Sequence, residues 1–177
     1  MEELTAEVIE TEDKEALIDE IMIRYGQEIL QLVYSYVKNK GLAEDLTQDI
    51  FIKCYKSLHT YSGKSKLRTW LWRIAINHCK DYLKSWYNRN VVMTDEEPAN
   101  SKTKKEMVEQ VVIQKEEDDE LIAAIMKLPI KYREVIYLFY YEELSIKEIA
   151  VLTDTGDNTV KTRLKRAKEL LKERLEA

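Results

Sequence analysis

Glycine and proline are nearly absent from this chain. Four Gly and two Pro stand among 177 residues, about 3% against about 12% in average usage. A sandwich or barrel needs a tight turn every 8–12 residues or so, and these residues supply such turns. Their scarcity therefore predicts long helices joined by few connections. Hydrophobic residues make up 45% and charged residues 34%, enough of the first to fill cores and of the second to solvate the outer faces. No run of about 18 apolar residues exists, so no membrane span is expected. The start, Met1-Glu2-Glu3-Leu4, is acidic where a signal peptide is basic and then apolar. Two cysteines, Cys54 and Cys79, are too few for a disulfide framework. The expectation is a cytoplasmic, all-α protein without cofactor or metal.

Apolar spacing places the helices. Leu17, Ile21, Leu32 and Val33 mark one over 14–38, which Gly41 is expected to interrupt. Leu46, Ile50, Cys54 and Leu58 form the stripe of a second over 43–58. Tyr61 to Lys66 reads as a loop, and a third helix is expected from Leu67 to Trp86. Residues 91–117 hold Pro98, Asn100, Ser101 and mixed charge without an apolar period, and so read as a flexible linker. A second helical part follows over 118–177. Leu121, Ile122, Ile125 and Leu128 share a face, Pro129 breaks or restarts the helix, and 130–141 continues it. Ser145 and Glu148 have capping-box spacing ahead of a short helix over 146–153. Gly156 marks a turn, and the last helix is expected to begin near Asn158 or Thr159, capped by Asp157 or Asn158.

The net charge of −5 argues at first against a nucleic-acid partner, but the total conceals an alternation. Residues 1–30 carry −8, 31–90 carry +7, 91–120 carry −6 and 121–177 carry +2. Residues 158–168 hold five basic groups and no acid. Two basic surfaces thus alternate with two acidic segments, the pattern of local phosphate contact. Free protein is expected to bind duplex DNA weakly.

Two short helices around a Gly-containing turn, the second basic, have the form of a helix-turn-helix. Val160, Leu164, Ala167 and Leu171 give its inward face, with Ile146, Ile149 and Ala150 opposite. Thr159, Lys161, Thr162, Arg163, Lys165 and Arg166 are then candidates for base and phosphate contact in a major groove. In the third helix, Trp70, Arg73, Asn77 and Lys80 share the arc left outside the apolar face, with Tyr61, Lys64, Lys66 and Arg68 just before or at its start. Cations that track a backbone, beside rings that stack on unpaired bases, suit single-stranded DNA. An Asn amide suits the edge of an extruded base. The second helix exposes Glu44, Asp45, Gln48 and Asp49 around Ile52, a face suited to a basic protein partner.

At these residues the chain resembles the bacterial sigma factors of the extracytoplasmic-function (ECF) type, within the sigma-70 family. Residues 43–51, Ala-Glu-Asp-Leu-Thr-Gln-Asp-Ile-Phe, and 69–77, Thr-Trp-Leu-Trp-Arg-Ile-Ala-Ile-Asn, resemble pieces of the family's region 2. Leu128-Pro129, Tyr132 to Ile136, Glu148-Ile149-Ala150 and Thr159 to Leu164 resemble region 4. The resemblance covers about 20–90 and 118–175. It implies a region 2 helical bundle over 13–90, a linker over 91–117 and a region 4 helix-turn-helix over 118–177, while the acidic extension over 1–12 is not part of the common pattern. It implies that the face at Asp45, Gln48 and Asp49 binds core RNA polymerase. It also implies that loop 61–66 and the third helix recognise and melt the −10 element, and that the last helix reads the −35 element of promoter DNA. The acidic linker would enter nucleic-acid space near the polymerase active site. An anti-sigma factor, often membrane-bound in this family, would hold the protein inactive. The chain departs from the family at Asn158, where Gly is common, and in lacking Pro within that turn, so Gly156 is expected to provide the flexibility. Residue 177 closely follows the last helix, so no further C-terminal domain is expected.

No Gly-rich phosphate loop, HExxH or nucleophile elbow is present. His59, His78, Cys54 and Cys79 lack zinc-ligand spacing. An enzyme with a small-molecule substrate is thereby disfavoured. The alternative to a sigma factor is a conventional helix-turn-helix regulator, which would have no need of the aromatic-basic stripe.

Overall fold

A computed structural model describes residues 13–90 and 116–177, and all the described elements are helical. The chain divides into two compact units, 1–98 and 99–177. The acidic extension 1–12 and most of the linker lie outside the described residues.

Among the described residues, the first unit packs the α-helices α1 (Lys14–Val37), α2 (Lys40–Ser57) and α3 (Leu67–Asn90). Asp13 caps α1 by accepting the Glu15 N–H. Lys38 ends it in the left-handed conformation, with φ 58°, and its N–H returns to the Tyr34 carbonyl at 2.9 Å. Asn39 then starts α2, its Oδ1 accepting the Leu42 N–H at 2.9 Å. The expected break at Gly41 is therefore misplaced. Gly41 sits in the first turn of α2, and Lys38 with Asn39 makes the corner. The stripe Leu46, Ile50, Cys54 and Leu58 is buried as its spacing requires, against Leu17, Ile21, Ile29, Leu32 and Val33 of α1 and Leu71, Ala75, Ile76 and Cys79 of α3. Each such large aliphatic side chain contributes about 1.5–3 kcal/mol. Trp72 is buried with them, its ring meeting Tyr25 edge-on at 5.8 Å. Helix α3 runs four residues past the expected Trp86, because no helix breaker stands before Asn90.

The second unit holds α4 (Glu116–Met126), α5 (Ile130–Ile136), a π-helical turn (Tyr137–Tyr141), α6 (Ile146–Thr153) and α7 (Asp157–Glu176). Pro129 is the N-cap of α5, where its missing N–H costs nothing. Arg133 is buried, 1% exposed, and donates from Nη1 to the carbonyls of Met126 and Leu128 at 3.2 and 2.9 Å. A cation so placed satisfies carbonyls at and just beyond the end of α4 and meets the negative end of its dipole. The helix expected over 130–141 keeps α geometry only to Ile136. The wider turn beyond holds Leu138 in the core and stacks the Tyr137 and Tyr141 rings at 5.3 Å. Ser145 caps α6 as expected: its Oγ accepts the Glu148 N–H at 3.1 Å and donates to the Glu148 carboxylate.

Candidate nucleic-acid and protein-binding surfaces

The turn before α7 differs from the expected one in two respects. The left-handed residue is Asp154 (φ 53°, ψ 47°), whereas Gly156 is extended at φ −83° and ψ 157°, a conformation open to any residue. A short polar side chain tolerates the left-handed region, so Asp154 turns the chain and Gly156 is the N-cap, one or two positions before the expected cap. Helix α7 thus begins at Asp157. Val160, Leu164, Ala167 and Leu171 are buried, and Ile149 and Ala150 of α6 are buried with them. Thr159, Lys161, Thr162, Lys165 and Arg166 are exposed, and Arg163 is half-buried. The Thr162 hydroxyl donates to the Asn158 carbonyl at 2.9 Å, leaving its oxygen outward as an acceptor. Lys168 leaves this face, its ammonium lying 5.7 Å from the centre of the Tyr140 ring. An open cleft of about 540 Å³ is lined by Asn158, Thr159, Thr162 and Arg166 of α7 and by Lys131 and Tyr132 of α5. Sequence reasoning missed Lys131 and Tyr132, since only the packing of α5 on α7 brings residues so far apart into one wall.

In the first unit, loop 61–66 closes on itself. Gly63 adopts φ 75°, where a side chain is disfavoured, and the Tyr61 hydroxyl donates to the Ser65 carbonyl at 2.6 Å. Burial raises the Tyr61 phenol pKa above its usual value, with the neighbouring Tyr25 adding to it, so the donor is retained. The Tyr61 and Trp70 rings meet at 5.5 Å, tilted by 52°. Lys64, Lys66, Arg73 and Asn77 are exposed, and Trp70 and Lys80 are half-buried. Helical spacing sets Trp70, Arg73, Asn77 and Lys80 on one side of α3, and the loop adds Tyr61 against Trp70. Arg68, at the start of α3, has its guanidinium 4.4 Å from the centre of the Trp72 ring and 3.0 Å from Glu28 Oε2 on α1.

On α2, Glu44, Asp45, Gln48 and Asp49 are exposed, and Ile52 is 52% exposed among them. Tyr55, one turn further, widens the apolar strip, which the spacing from Ile52 would have revealed. His78 of α3 reaches toward this face, its Nε2 3.8 Å from Asp49 Oδ2. Burial and, less so, Lys53 lower its pKa, against the opposing pull of Asp49 and Asp81. Cys54 and Cys79 are fully buried, and burial pushes the Cys54 thiol up to about 12, so it is a core residue and no nucleophile. No group of three or more His, Cys, Asp or Glu suited to a metal occurs among the described residues, and no described helix is long and apolar enough to cross a membrane.

A helix-turn-helix in one unit and an aromatic-basic helix in the other define a DNA-binding protein equipped for both duplex and unpaired strands. The comparisons narrow this class. A Sigma-70 region 2 family model matches residues 21–88 and a Sigma-70 region 4 model matches 118–171. The chain is 34% identical over 170 residues to the ECF RNA polymerase sigma factor SigW of Bacillus subtilis, covering 92% of this chain and 90% of that protein. It is 32% identical over 155 residues to SigM of the same organism (88% and 93% covered) and 30% identical over 158 to the ECF sigma-E factor of Escherichia coli (85% and 82%). The fold matches that of RpoE from Bartonella quintana in its complex with NepR, at TM-score 0.71 and 20% identity over 90% of this chain and 96% of that one. It also matches CnrH in complex with the cytosolic domain of CnrY, at TM-score 0.66 and 21% identity over 97% and 94%. The chain belongs to the ECF sigma factors. It is an alternative sigma factor that directs transcription initiation, a binding subunit rather than an enzyme.

Proposed function

We propose a division of labour between the two units, with working bounds of 13–90 and 118–177. The first engages core RNA polymerase through Glu44, Asp45, Gln48, Asp49 and Ile52, and opens the −10 element. The observation that carries this reading is the Tyr61–Trp70 ring pair beside Arg73, Asn77 and Lys80. The cations hold backbone phosphates, a ring accepts an unstacked base, and the Asn77 amide pairs with an exposed base edge. Lys64 and Lys66 on the loop add phosphate contacts. Arg68, placed at the start of α3 beside Trp72 and Glu28, adds a further phosphate contact. The second unit docks α7 in the major groove of the −35 element through Thr159, Lys161, Thr162, Arg163, Lys165 and Arg166. The acidic linker, 91–117, passes toward the polymerase active site.

The protein is held inactive by an anti-sigma partner, which can tether it at the membrane. Support comes from the two solved relatives, one a complex with the anti-sigma factor NepR and one with the cytosolic domain of CnrY. Run-off transcription with the cognate core polymerase tests the whole reading. A restricted promoter set is expected to depend on this protein, with strand opening at −10 seen by permanganate reactivity. Absence of any promoter-dependent transcript would overturn it.

A further inference from the structure

The outward face of α7 is basic in its first turns and mixed in charge beyond them, with acids on the side of Arg166. Its first three turns expose Thr159, Lys161, Thr162, Lys165 and Arg166, and the following turns on the same side bring Glu169 and Glu173. Arg166 stands at the boundary. Its Nη1 lies 3.2 Å from Glu169 Oε2, as a hydrogen bond, and 3.7 Å from Glu173 Oε1. Glu169 also lines the cleft with Asn158, Thr159, Thr162 and Lys165, so it lies within the candidate reading surface.

We propose that Glu169 is a positioning residue for base recognition, holding Arg166 by Nη1 and closing the reading face at its C-terminal side. The inference rests on the −35 assignment above. Two physical arguments support it. First, both ion pairs use Nη1, so the Nε–Nη2 edge keeps two parallel donors, the fork that matches guanine O6 and N7. A free Arg side chain loses rotamer freedom on binding, and one already held by a carboxylate loses less. Second, carboxylates at 169 and 173 repel phosphates. On the side of Arg166 they favour entry into the groove by the N-terminal turns, which are the turns that reach base edges in helix-turn-helix proteins. The reading register then runs from Asn158 to Arg166, with Glu169 as its limit.

The test uses holoenzyme with cognate core and a promoter library randomised across the −35 element, comparing wild type, Glu169→Gln, Arg166→Ala and the double variant. Arg166→Ala should abolish preference for G at one position. Glu169→Gln should lower that same preference about two- to fivefold and leave the other positions unchanged. In the Arg166→Ala background it should have no further effect on preference. Equal strengthening on every sequence would show that Glu169 only repels phosphate, and would overturn the inference. An unchanged preference would do the same. The melting temperature of the second unit in each variant, measured on the full chain, separates a folding loss from a recognition loss: weakened preference that follows lowered stability would also overturn it. If wild-type holoenzyme shows no −35 preference at all, the recognition-helix assignment itself fails and the inference with it.

Discussion

Replacing Arg133 tests how the second unit is held together. Its side chain is 1% exposed and bridges the end of α4 to α5 through two carbonyls, at 3.2 and 2.9 Å. Hydrogen bonds from a charged donor contribute about 1.5–3 kcal/mol each. Arg133→Ala removes both and leaves the Leu128 carbonyl, in a buried setting, without its donor. A loss of about 3–5 kcal/mol is expected from two such bonds and an unpaired buried carbonyl. A unit of this size has only about 3–9 kcal/mol in total, at roughly 0.05–0.15 kcal/mol per residue. The variant should therefore leave the second unit near its unfolding midpoint while α1–α3 stay intact. Hydrogen exchange read by mass spectrometry on the full chain measures both: protection should fall in α4, α5 and α7 and hold in α1–α3. Arg133→Lys keeps the charge but loses the fork, and should recover only part of the loss. A loss under about 1 kcal/mol in Arg133→Ala would refute the reasoning, since it would mean that water or other donors replace the guanidinium without cost.

Trp70→Ala should weaken strand opening by about 1–3 kcal/mol, the scale of one base stacked on a ring, and Asn77→Ala should act at the same step; unchanged permanganate footprints with normal closed-complex binding would remove both from the melting surface. Asp45→Arg with Asp49→Arg should reduce affinity for core polymerase by about 2–5 kcal/mol through charge reversal without altering the helical circular dichroism, and normal co-purification with core would exclude that face. His78 has its pKa lowered, chiefly by burial, below the ordinary 6.5. The unfolded chain therefore binds the proton more readily, and the stability of the first unit is full above about pH 6.5 and falls as pH drops through the lowered value. His78→Gln should flatten that dependence in urea titrations, whereas an unchanged pH slope would assign it to other groups.

The sequence by itself determined the helical class, the extents of α1 and α6, the stripe Leu46–Ile50–Cys54–Leu58 and the inward face of α7. Each depends on near-neighbour spacing, and a 3.6-residue period is a local property. Segmental charge likewise located both basic surfaces despite a net −5. The corners were less legible. Lys38 and Asp154 adopt left-handed backbone where Gly41 and Gly156 were the obvious candidates, because capping bonds and packing, not residue type alone, decide which residue bears the turn. The π-helical turn at Tyr137–Tyr141 was invisible, since an apolar run reads alike in either helical geometry. Only the tertiary structure set Arg68 beside Trp72 and Glu28, and joined Lys131 and Tyr132 to α7. Those choices depend on contacts between residues far apart in the chain, and charge and spacing along one strand of sequence carry no information about which distant group a long side chain will meet.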